Sequence, residues 1–163
     1  MENQEKKKIS LIEIYPDIKE KIDNDGTVRL PITGTSMLPL LLHDRDTVDI
    51  VKCEKPKKGD IIFYRRDNGQ FVLHRIICTD ENGYVLCGDN QWFKEKGIKD
   101  HNIIAVVSFI TRRGKKFSVT SLPYRMYSSF WMFVRPIRKY LLYFPRKTKT
   151  ILKKILVKLK IIK

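Results

Sequence analysis

The most telling absence in this 163-residue chain is of acid after residue 111. Residues 1–111 carry 17 Lys+Arg against all 18 Asp+Glu, whereas residues 112–163 carry 16 Lys+Arg and no acid. The formal net charge of +15 therefore describes a tail and not the body, and it does not make the whole chain a nucleic-acid binder. Cysteine is scarce. Cys53, Cys78 and Cys87 are an odd number without a CxxC spacing, which excludes a disulfide framework and a zinc ribbon and suits reduced, partly buried thiols. No run of about 18 apolar residues is present, so no simple spanning helix is expected. The polar start, Met1–Lys8, is followed by no apolar run of signal-peptide length. The expected location is thus cytoplasmic, peripheral at a membrane. Internal repeats and low-complexity linkers are also missing. What is present, 42% apolar and 31% charged residues, is a globular composition of single-domain size.

Apolar positions at Ile9, Ile12 and Ile14, then Ile18 and Ile22, predict one or two helical turns on each side of Pro16. After Asn24-Asp25-Gly26, brief β-branched and aromatic runs recur at 27–32, 47–53, 60–66, 70–78, 83–87, 103–111 and 116–121. Asp67-Asn68-Gly69 and Glu81-Asn82-Gly83 fall between such runs as hairpin turns, since Asn and Gly accept the positive φ these turns need. Strand runs without long helices between them predict a mainly β, antiparallel, partly closed architecture. The divisions expected are a helical or extended lead-in (1–26), a β-domain (27–121) and a basic tail (122–163).

One segment breaks the strand rhythm. Gly34-Thr35-Ser36-Met37-Leu38-Pro39 places a serine where the backbone turns sharply, which can expose its hydroxyl and aim nearby N–H groups at one point. An acyl-transfer nucleophile needs that combination. The segment is not a G-x-S-x-G elbow, because Leu38 stands at the second glycine position. His74 follows 38 residues later, inside Val72-Leu73-His74-Arg75-Ile76, with Lys58-Gly59-Asp60-Ile61-Ile62-Phe63-Tyr64 between and Cys87-Gly88-Asp89-Asn90 beyond.

These four boxes resemble, in order and spacing, the type I signal peptidases and their relatives, the SOS-repressor peptidases, over roughly residues 28–111. The resemblance implies a coiled β-fold of the signal-peptidase type and a serine endopeptidase with Ser36 as nucleophile, acting on a precursor, leader or signal peptide. Most bacterial members carry a lysine base where this chain has His74. Histidine followed by arginine is similar to the signal peptidases of the endoplasmic reticulum and archaea. A lysine must be held neutral far below its free pKa of about 10.4, whereas histidine, near 6.5, can accept the Ser36 proton at neutral pH with little tuning. Activity resting on it should fall as pH drops through roughly 6–7.

The acid expected to assist His74 is Asp89 in the GDN box, a residue for which the resemblance equally implies a turn-shaping structural role; Glu95 is the alternative, since in histidine-type relatives the acid lies a few residues beyond that box. Gly34, Thr35, Met37 and Pro39 are the expected oxyanion and substrate-binding positions, with the N–H of Ser36 carrying much of the oxyanion duty. Asp60 reads as a turn residue. His43 and His101 have no partners at metal-ligand spacing, so neither a metal nor another cofactor is assigned. Cys87-Gly88 looks like the bond repressor relatives cut in themselves, and coincidence explains it better.

Residues 122–144 are rich in aromatics but interrupted by Arg125, Arg135, Pro136, Arg138 and Lys139, and read as an interfacial helix. At about 100° per residue, Ile151, Leu152, Ile155, Leu156, Leu159 and Ile162 fall within an arc of about 140°, with Lys153, Lys154, Lys158 and Lys160 outside it. Val157 and Ile161 spoil the polar face. The tail thus reads as an anchor for anionic lipid. Packing on the body, an acidic partner and nucleic acid are the alternatives, nucleic acid last because no recognition motif is evident. Two other functions compete with the peptidase: a silent β-domain that scaffolds a membrane complex, and a self-cleaving repressor, for which about 33 residues before the serine box are few.

Overall fold

The computed structural model describes residues 11–137. Helix α1 (Leu11–Asp23) leads into a sheet of β1 (Val28–Pro31), β2 (Thr47–Val51), β3 (Ile61–Arg65), β4 (Phe71–Asp80), β5 (Gly83–Cys87), β6 (Glu95–Ile98), β7 (Ile103–Arg112) and β8 (Lys115–Ser118), followed by α2 (Leu122–Phe133). Every pairing is antiparallel, in the order β1-β2-β7-β3-β4-β5-β6, with β8 also on β7. The fold is mainly β and antiparallel as expected, but the sheet is open and not partly closed: β1 and β6 end the main order of strands, so no pairing joins its two ends.

The seven expected runs all form strands. Asn68-Gly69 and Asn82-Gly83 join β3 to β4 and β4 to β5, fixing the registers Ile62↔His74 and Ile76↔Leu86. β6, with the sequence Glu95-Lys96-Gly97-Ile98, carries no strand signature and exists because Tyr84 and Leu86 of β5 pair with Ile98 and Glu95. The helix is continuous through Pro16 and not split around it. Pro16 removes one ladder hydrogen bond, but Ile18 and Ile22 are buried and hold the helix on the core, so packing outweighs the local defect.

The main core joins Ile18 and Ile22 of α1 to Leu30, Val48, Ile50, Ile61, Phe63, Val107 and Ile110, with Met37, Leu40 and Leu41 from the β1–β2 connection. A second cluster, Ile62, Tyr64, Ile76, Leu86 and Ile98, fills the other face of β3–β6. No disulfide joins the cysteines among the described residues. The pattern expected for residues 149–163 lies outside the described residues.

Candidate active site

The serine turn is built from the core outward. Met37, Leu40 and Leu41 are buried, which pins the segment after β1 and leaves Ser36 half-buried at its rim. Gly34 has φ of +82°, a conformation a side chain would strain, and it turns the chain out of β1. The loop closes through Ile32 N–H to the Asp46 carbonyl (3.0 Å) and Asp44 N–H to the Ile32 carbonyl (3.0 Å). Buried Asp46 accepts the Leu42 N–H at 2.8 Å and both forks of Arg45 at 2.7 and 2.8 Å.

The GDN box braces this turn from behind. Asn90 donates its N–H to the Ser36 carbonyl at 2.7 Å and its side-chain amide to the Thr35 carbonyl at 3.1 Å. Gly88 sits so close that a Cβ there would lie 2.6 Å from the Ser36 carbonyl oxygen. Asp89 turns away from the cleft. Its carboxylate holds Arg75 in a fork, 2.9 Å to Nε and 2.7 Å to Nη2, and both side chains are buried. The Arg75 Nη1 donates to the Gly59 carbonyl (2.9 Å), Tyr124 Oη (3.1 Å) and Ser128 Oγ (2.8 Å), and Trp131 Nε1 donates to the Asp89 carbonyl (3.1 Å). Strand β4 thereby ties His74, through its neighbour Arg75, to both the GDN box and helix α2.

Ser36 and His74 line one cleft of about 390 Å³. Its walls mix apolar side chains, from Leu30, Ile32, Met37, Phe63, Phe71 and Val72, with the polar groups of Thr33, Arg66, Gln70 and Gln91. His74 is only 2% exposed, and its Nδ1 lies 3.2 Å from the hydroxyl of fully buried Tyr64. Glu95 stands beyond that hydroxyl, interacting with Tyr64 and forked by Arg66 at 2.8 and 2.5 Å. Burial opposes ionisation of Glu95, but the hydrogen bonds from Arg66 and Tyr64 and the Arg66 charge outweigh it and lower its pKa. Burial, aided by the Glu95 charge, pushes the Tyr64 hydroxyl up, so it stays protonated. Glu95 can only accept, so the phenol O–H donates its hydrogen bond to Glu95, and the phenol oxygen is left to accept Nδ1–H of His74. The lone pair of the imidazole is then on Nε2. Burial pushes the His74 pKa down to about 4, the Glu95 charge resisting and the Arg66 charge reinforcing the shift. The ring is neutral, as a proton acceptor requires.

Of the expected oxyanion and substrate positions, Gly34 and Met37 line the cleft, while Thr35 and Pro39 are exposed outside its lining. The Gly34 N–H is committed at 3.0 Å to Nδ1 of His43, whose Nε2 is 2.9 Å from Asp44. Asp60 closes the turn after Pro56 by accepting the Lys57 N–H at 2.7 Å. Sequence reasoning passed over Tyr64, Arg66, Gln91 and the bracing contact of His43. Tyr64 had a usable signal: the Asn68-Gly69 turn sets Ile62 opposite His74, and Tyr64 is two residues further along the same strand face.

The cleft is bordered by two strand edges. β1 ends the sheet, and β5 pairs with β4 only from Arg75 onward, so Phe71–His74 has one unpaired edge among the described residues. Leu30 and Pro31 of β1 and Phe71, Val72 and Leu73 of β4 all line the cleft. No curated protein and no solved structure gives a significant match to the chain. Residues 2–108 match the family model described as Peptidase S24-like. That span is well over half of the 163 residues, and it contains the serine turn, the histidine strand and the GDN box: the chain belongs to the Peptidase S24-like family.

Proposed function

We propose that the protein is a serine endopeptidase in which Ser36 attacks and His74 is the general base, cutting an extended segment of a precursor, leader or signal peptide. The observation that carries this reading is the shared cleft of Ser36 and a neutral, buried His74. A peptide laid between the edges of β1 and β4 would add a strand to either, and the apolar parts of the walls would take alternate side chains.

In the proposed reaction, Ser36 Oγ bonds to the scissile carbonyl carbon as its proton passes to Nε2 of His74. The Ser36 N–H stabilises the oxyanion, since the Gly34 N–H is already engaged. The imidazolium returns that proton to the departing amine as the C–N bond breaks, leaving an acyl-enzyme. Water, deprotonated by His74, releases the acid and restores Ser36. Glu95, acting through Tyr64, stabilises the imidazolium and fixes the tautomer. The buried Arg75 fork supports a structural role for Asp89.

A fluorophosphonate probe tests the assignment. The parent protein should be labelled at Ser36, His74→Gln should be labelled far more slowly, and Ser36→Ala should not react. Equal labelling of parent and His74→Gln, or none of the parent, would leave a β-domain without activated serine. A peptide that accumulates uncut in cells carrying Ser36→Ala would identify the substrate.

A further inference from the structure

Helix α2 has two faces that sort by chemistry. Tyr124, Ser128, Trp131 and Val134, at spacings of four, three and three, face the body; Tyr124 and Ser128 hold Arg75, and Trp131 holds the GDN loop. Leu122, Met126, Phe130 and Phe133, at spacings of four, four and three, form the opposite stripe and are 60–80% exposed. Ile137 follows just beyond the helix and is exposed as well. A soluble helix normally turns its apolar stripe inward, so large side chains aligned outward mark a docking surface.

We infer that this outer face of α2 is a membrane-docking surface that settles on a bilayer containing anionic lipid. Two observations select that occupant. The sequence from residue 112 to 163 has 16 Lys+Arg and no acid, so α2 lies inside a block that an anionic headgroup layer attracts. The stripe is a row of exposed Leu, Met and Phe with exposed Arg125 at its side, which suits insertion at headgroup depth. α2 spans 12 residues, and among the described residues no helix is long and apolar enough to cross a membrane, so the helix lies on the surface. A second copy is a poor occupant, because it would press two acid-free segments of like charge together. Phosphate backbones would answer the cations but leave the apolar stripe in water.

Trp92 and Phe93, both more than half exposed, belong to the loop that Trp131 grips through the Asp89 carbonyl. The inference does not depend on Ser36 being a nucleophile.

The test is sedimentation of the full chain with phosphatidylcholine vesicles containing about a quarter phosphatidylglycerol, against phosphatidylcholine alone. Phe130→Ser/Phe133→Ser should fold with an unchanged thermal transition and bind at least about ten-fold more weakly. A Met126→Cys variant in a Cys53→Ser/Cys78→Ser background, labelled with an environment-sensitive dye, should shift to the blue on the anionic vesicles. Unweakened binding by the double variant, or sedimentation without a dye shift, would assign lipid binding to the tail charge alone and overturn the proposal. Failure to bind vesicles, with concentration-dependent self-association or capture by polyglutamate instead, would overturn it in favour of a protein partner.

Discussion

The hydroxyl of Tyr64 stands 3.2 Å from Nδ1 of His74, and both side chains are shut away from solvent. In the proposed reaction, this pair fixes which imidazole nitrogen takes the proton from Ser36. It also links the Glu95 carboxylate to the imidazole through the phenol.

Tyr64→Phe should therefore impair catalysis without removing either Ser36 or His74. The Nδ1–H is left buried without an acceptor, which costs about 1–3 kcal/mol of stability. The ring is freed to exchange tautomers, so kcat/KM should fall by a substantial part of the roughly 10²–10⁴-fold that a positioned base contributes. Kinetics on a cleaved peptide, paired with urea unfolding, separate the two effects. A variant with unaltered kcat/KM would remove Tyr64 from the site.

The pH profile should depart from that of an exposed histidine. His74 has its pKa pushed down to about 4 by burial, so the acid limb of kcat/KM should centre near 4 and not between 6 and 7. Stability follows the same group. The folded pKa lies below the unfolded 6.5, so the unfolded chain binds a proton first as pH falls. The His74 contribution is intact above about 6.5, declines by about 3 kcal/mol as pH drops to about 4, and is flat below that. Urea titrations of the parent and His74→Gln at pH 7 and 4.5 measure it; an equal acid loss in both would refute the assignment.

Asp89 and Glu95 should separate by what each removal damages. Asp89→Ala strands a buried Arg75 and should destabilise the fold by about 3–5 kcal/mol. Glu95→Gln removes a partly exposed carboxylate and should leave the fold largely intact while lowering kcat and moving the acid limb of the pH profile further down. The downward shift arises because the charge that favours imidazolium is gone. Thermal midpoints and kcat–pH profiles of the two variants decide it. An Asp89→Asn protein with an altered pH profile and parental stability would return Asp89 to the reaction.

Much of this was legible in the chain, and the gaps have physical causes. The strands announce themselves through β-branched runs and Asn-Gly turns, and the order of the boxes singles out Ser36 and His74, which line one cleft. β6 has one buried apolar residue and is made by its neighbour, so its own sequence carries no trace of it. Tyr64 inside Ile61-Ile62-Phe63-Tyr64 reads as ordinary core, and only the hairpin register discloses its contact with the imidazole. The different surroundings of Asp89 and Glu95 depend on Arg75 facing the GDN box, a consequence of the Arg75↔Cys87 pairing of β4 with β5. Residue types alone do not contain that register.

Gly88 offers the sharpest test of how the GDN box serves Ser36. A Cβ at this position would lie 2.6 Å from the Ser36 carbonyl oxygen and 2.8 Å from Gln91 Oε1. The glutamine end can swing aside, but the carbonyl belongs to the backbone of the serine turn and is held by the Asn90 N–H at 2.7 Å. Gly88→Ala must therefore push the turn and the box apart, at about 1–3 kcal/mol for overpacking. The displacement falls on the residue whose Oγ and N–H must meet one carbonyl group together, and misplacement of about 1 Å can cost roughly 10²-fold. Fluorophosphonate labelling of Ser36 should slow far more than the loss of stability explains. Labelling at the parental rate in a folded Gly88→Ala protein would mean that the close approach of Gly88 does not set the geometry of the nucleophile.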